Sequence, residues 1–167
     1  MQTERRALIQ GTYAVALWAL TNTALAGDPQ RKPSLSKPTP EDASEIAAYA
    51  VKLVREIEGI SLDYSPDSLS HIDATVLSFR KSGKTSRDVG GTLVVFGCYV
   101  GEVIVRNLGA KWEMPGEQER KMGFDIVGIR TPSGAFWNPI GKVFKLLANG
   151  EEDSVEYLYT VVKSKIP

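Results

Sequence analysis

From residue 40 onward, apolar residues recur at helical spacing. Ile46, Ala50, Leu53, Val54 and Ile57 fall on one face, as an amphipathic helix requires. Thr39 suits an N-cap, Pro40 the first turn, and Glu41 and Asp42 the positive end of the helix dipole. Gly59 ends the run. A second start stands at Ser65-Pro66-Asp67, and Leu69, Ile72, Val76 and Phe79 make one face of a helix that stops near Gly83.

Residues 89–108 fit two patterns. Leu93-Val94-Val95-Phe96 alone reads as a buried strand. The apolar run, however, continues past Glu102 to Val105. Glu102 and Arg106 are four apart, an ion-pair spacing on one helix face. Asn107-Leu108-Gly109 reads as a left-handed C-terminal cap. The segment is therefore predicted to be a helix, and one so apolar belongs at the centre of its domain. Gly97 and Gly101 make a smooth stripe on it, where another backbone can approach.

The period then changes. Residues 110–114 read as a short strand and 124–130 as an alternating one. Thr131-Pro132-Ser133-Gly134 forms a turn, and 135–138 return antiparallel. Asn138-Pro139 starts a helix that ends at Asn149-Gly150, and Asp153 or Ser154 caps a last helix carrying Val155, Leu158, Tyr159 and Val162. The predicted fold class is α+β: several helices packed on a small antiparallel β-meander in a single domain.

The N-terminus has a different character. Arg5 and Arg6 precede an uncharged stretch over 7–20, and Ala24-Leu25-Ala26 closes it. This is the pattern of a cleavable signal peptide over 1–26, implying a periplasmic or secreted protein. A Pro-rich linker over 27–39 would follow, then the α+β domain over 40–167. Of 20 basic and 20 acidic side chains, losing Glu4, Arg5 and Arg6 leaves 18 and 19. That balance argues against nucleic acid or an anionic membrane surface as partner. No later stretch reads as a membrane span, so no stable membrane insertion is expected after cleavage. Cys98 is the single cysteine; it can form no internal disulfide and lies too far from the cleavage site to be acylated there.

Candidate chemistry is sparse. Gly83-Lys84-Thr85 matches only the tail of a phosphate loop, with Ser78 where the motif needs glycine, and reads better as a polar turn. His71 is the single histidine, without the companions a metal site needs, and reads as solvated. Cys98 reads as a small buried hydrophobe. No cofactor or metal is implied. Glu102 is a carboxylate in an apolar helix, and burial can turn such a group into a general acid or base; a structural ion pair with Arg106 is the favoured alternative. Trp112, Phe136 and Trp137 cluster around the meander, where they would line a binding surface or belong to the core.

Three segments carry a resemblance. They are Leu62-Asp63-Tyr64-Ser65-Pro66 with Ser68-Leu69; the run from Gly97 through Tyr99, Gly101-Glu102-Val103 and Arg106-Asn107 to Gly109 and Trp112; and Asn138-Pro139-Ile140 with Lys142-Val143 and Lys145, continuing to Asn149-Gly150-Glu151-Glu152-Asp153-Ser154-Val155. Together they resemble an uncharacterised bacterial domain family, a domain of unknown function. The resemblance implies a bacterial source and a helix around Cys98, and assigns no catalytic residue.

The expected function is a non-enzymatic periplasmic protein-binding module of the immunity-protein or inhibitor type. Two alternatives stand beside it. One is an envelope hydrolase using Glu102 with Asp63 or another carboxylate. The other is a small-ligand module built on Trp112, Phe136 and Trp137.

Overall fold

The computed structural model describes residues 33–166. The predicted signal segment, 1–26, lies outside these residues, as does the start of the predicted linker. At the linker's end Pro38 is buried and Leu35 packs on the core.

Helix α1 (Pro40–Glu58) starts where Thr39 and Asp42 cap each other. The Asp42 N–H donates to Thr39 Oγ1 at 3.3 Å, and the Thr39 N–H donates to Asp42 Oδ2 at 3.0 Å. This reciprocal capping box satisfies two helix-end donors. Its face of Ile46, Ala47, Ala50, Leu53 and Val54 is buried. Pro66–Ser68 form one 3₁₀ turn capped by Ser65, leading into α2 (Leu69–Lys81). Helix α3 (Ser86–Leu108) spans 23 residues and ends on Gly109 in the left-handed conformation. The helical reading of the ambiguous segment therefore holds.

Helix α3 is the axis of the domain. Helices α1 and α5 (Pro139–Asn149) both pack along it. By length and composition α3 could cross a membrane, contrary to the expectation that no later stretch reads as a span, but 72% of its most apolar 18-residue window is buried inside the domain. Its apolar surface already has protein partners, each fully buried large side chain contributing about 1.5–3 kcal/mol. The glycine stripe serves as predicted. A Cβ at Gly97 would lie 2.5 Å from the Ile140 Cα, and one at Gly101 would lie 2.1 Å from the Trp112 ring. Helix α5 and Trp112 can sit this close only because those positions carry no side chain.

The sheet is a three-stranded antiparallel meander, β1 (Lys111–Glu113), β2 (Gly128–Arg130) and β3 (Phe136–Trp137), in that order. Trp112 and Trp137 both pair with Ile129. Two corrections apply here. The strand predicted over 124–130 is only Gly128–Arg130, because the Phe124 N–H donates to Glu119 O at 3.0 Å. Its backbone closes a helical turn instead of joining a ladder. That turn follows α4 (Glu117–Lys121), a short helix the sequence pattern did not predict. Arg130 ties this excursion to the sheet through Glu113 and Glu119, the latter at 3.1 Å.

The last helix, α6 (Val155–Ser164), is capped twice. The Ser154 hydroxyl accepts from the Tyr157 N–H. Asp73, buried on α2, accepts from the Ser154 hydroxyl at 2.6 Å, the Val155 N–H at 2.8 Å and the Glu156 N–H at 3.3 Å. A carboxylate thus sits against the positive end of a helix dipole, where it is stabilised.

Several carboxyls are held below their ordinary range by such contacts. The Thr85 N–H and hydroxyl lower Asp88. Lys142 and Asn149 lower Asp153. A depressed folded value means stability that is complete above the unfolded carboxylate range, about pH 4, and lost as pH falls through the folded values. The thermal midpoint is expected to stay level between about pH 7 and 5 and to decline below about pH 4. Replacing Asp88 by Asn should make that decline shallower; an unchanged slope would remove Asp88 from the set.

Candidate functional site

The first two resemblance segments, far apart in sequence, meet at the C-terminal half of α3. Glu102 is the centre. It is 7% exposed, and both of its oxygens are engaged. Arg106 Nε donates to Oε1 at 2.9 Å; Trp112 Nε1 and Ser44 Oγ donate to Oε2 at 3.0 and 3.2 Å. The carboxylate therefore joins α1, α3 and β1. The predicted ion pair is present, with two donors the sequence reading did not include.

Tyr64 forms the outer layer. Its φ is +62°, and it is the single non-glycine residue with positive φ among the described residues. For a bulky side chain this costs energy, and such strain persists only where surroundings over-determine it. Here they do. The Tyr64 N–H donates to the Tyr99 hydroxyl at 2.9 Å, and its carbonyl accepts from Asn107 Nδ2 at 2.8 Å. Its ring stacks on Tyr99 with centroids 5.1 Å apart. The Tyr99 hydroxyl also lies 2.6 Å from that of Ser68. The Arg106 guanidinium carbon sits 3.6 Å from the Tyr64 ring centroid. Burial pushes the Tyr64 phenol up, the Arg106 guanidinium opposes it, and Glu102 adds to the rise.

The other predicted residues fall elsewhere. Trp112 and Trp137 flank Ile129 on one face of the sheet, and Phe136, alternating with Trp137, lies on the other. Phe136 meets Phe124 edge-on at 5.7 Å and Arg130 at 5.3 Å. The three aromatics do not converge on one groove. Asp63 is taken by the Ser65 N–H and hydroxyl, at 2.9 and 2.6 Å, and no hydrogen bond joins it to Glu102. His71 is not solvated as expected: its Nε2 lies 3.3 Å from Glu58 Oε2, with side-chain exposures of 18% and 12%, because α2 folds it back against the end of α1. Cys98 is fully buried, and desolvation pushes its thiol well above the ordinary range.

A cleft of about 560 Å³ opens between the start of α3 and the end of α5, lined by Lys84, Thr85, Phe144, Lys145 and Leu147 among others. It includes neither Glu102 nor the three aromatics. The Gly83-Lys84-Thr85 turn does not make it a phosphate site. The Asp88 carboxylate already accepts from the Thr85 N–H at 2.8 Å and its hydroxyl at 2.7 Å, placing negative charge where a phosphate would sit.

No model of a known protein family matches this chain, and no curated protein or solved structure matches it.

Proposed function

We propose that this chain is a non-enzymatic protein-binding module of the bacterial envelope, of the immunity-protein or inhibitor type. The observation that carries this reading is the use made of Glu102. A general acid or base must present an oxygen to its substrate. Both Glu102 oxygens are instead bonded to Ser44, Arg106 and Trp112. The polar centre of the domain thus spends its hydrogen bonds on fixing the exposed Ser44 and Arg106 and the half-buried Trp112, which is how a preformed recognition surface is built. The envelope location and bacterial source rest on the signal pattern of residues 1–26 and the family resemblance.

The test is affinity capture with the full chain, tagged at its C-terminus, from envelope extract of the source bacterium. One recurrent partner in stoichiometric amount is expected, and the captured chain should begin near Gly27. Repeated captures without a partner would count against the binding role. An intact Met1 in the envelope fraction would remove the export step.

A further inference from the structure

We propose that Arg106 is the seat for a carboxylate side chain of the protein partner, with Tyr64 as the platform that orients it. This rests on the protein-binding reading above and names the chemistry of its contact. Arg106 is half-exposed, at 51% of its side chain. Its Nε is committed to Glu102. Neither Nη nitrogen makes a hydrogen bond to a described residue, so on this half-exposed side chain two donor groups have no partner among the described residues. A guanidinium offers its donors in a planar fork that matches a carboxylate.

What marks this arginine is how firmly its plane is set. Glu102 fixes one edge, and the Tyr64 ring 3.6 Å from the guanidinium carbon fixes the face. Tyr64 in turn occupies a strained backbone conformation held by Tyr99 and Asn107. A side chain ordered before binding loses little freedom on binding, so its contact retains more of its strength. Such arginines are common anchors of protein interfaces.

Charge chooses the occupant. Glu102 cancels the formal charge of Arg106, and the whole chain is balanced at 20 basic and 20 acidic residues. A polyanion such as nucleic acid or a phospholipid surface draws its affinity from accumulated positive field, which is missing here. A single carboxylate gains instead from two directed hydrogen bonds, which the two Nη nitrogens left uncommitted by Glu102 can supply.

The experiment is an NMR titration of the full chain, following the Arg106 side-chain N–H and Tyr64 ring signals. The probe is an acetylated, amidated tetraglutamate peptide, with inorganic phosphate and a short DNA duplex as parallel arms at matched ionic strength. Saturable shifts with the peptide are expected. Arg106→Lys keeps the charge beside Glu102 but loses the fork, and should weaken the peptide by about tenfold or more. Tyr64→Gly tolerates the positive φ but removes the platform, and should weaken it by about threefold or more. No saturable shift, an Arg106→Lys isotherm equal to that of the unmodified chain, or tighter saturation by phosphate or DNA would each overturn the seat. The two proposals separate cleanly. A partner captured equally by the unmodified chain and by Arg106→Lys leaves the binding role standing and removes the seat. Peptide saturation at Arg106 without any captured partner does the reverse.

Discussion

Replacing Gly97 by alanine is expected to destabilise the domain by about 3 kcal/mol, at the upper end for an overpacked core. The new Cβ would lie 2.5 Å from the Ile140 Cα and 3.0 Å from its Cβ. The first of these atoms is backbone and cannot rotate away, so α5 must move off α3. Helix α5 also holds Val143 and Leu146 in the core, and they would move with it. In a domain of this size the thermal midpoint should fall by roughly 10 °C. Gly90, in the same helix, supplies the control. A Cβ there meets nothing within 4 Å. Alanine should raise stability by about 0.5–1 kcal/mol through helix propensity alone. Opposite signs from one substitution in one helix, read by urea denaturation, would isolate close packing as the cause. Two stabilising changes would show that propensity dominates at both positions.

Asp73→Ala carries the second large effect, a loss of about 2–4 kcal/mol. The carboxylate is 7% exposed and serves three donors at the start of α6. Its removal leaves the buried Val155 N–H without an acceptor, and an unmade buried hydrogen bond costs more than a made one contributes. Asp73→Asn retains one acceptor oxygen and should lose less. Hydrogen exchange should locate the damage, with Val155 and Glu156 amides exchanging sooner in Asp73→Ala than those of α3. A variant within about 0.5 kcal/mol of the parent would mean that water replaces the carboxylate without penalty.

These two positions show what was legible in the sequence. Gly97 and Gly101 announced a close approach because their spacing is local to one helix. Thr39, Gly59, Gly109 and Asn138-Pro139 marked helix ends for the same reason, since a cap acts within a few residues. Asp73 gave no such signal. Its partner Ser154 lies 81 residues away, and nothing near Asp73 in sequence shows that a helix begins against it. The site follows the same rule. The Glu102–Arg106 pair was readable from helical spacing, while Ser44, 58 residues from Glu102, was not. Tyr64 stands out in the sequence only as part of a segment that carries the resemblance; a positive φ on tyrosine has no composition signature, unlike one on glycine. Local pattern failed outright at Phe124, whose alternating neighbours suggested a strand but whose backbone belongs to the turn after α4.

Cys98 has a consequence for how the chain survives oxidation. Buried inside α3, its sulfur reaches no second copy while the fold is closed. In an oxidising compartment a lone thiol is a hazard only when a molecule opens, since exposure and thiolate character govern its reactivity. Covalent pairing would therefore sort molecules by conformation: folded copies stay single, and opened ones are caught as linked pairs. Under oxidising conditions such a linked pair would therefore report that a molecule had opened, since only opening exposes the sulfur.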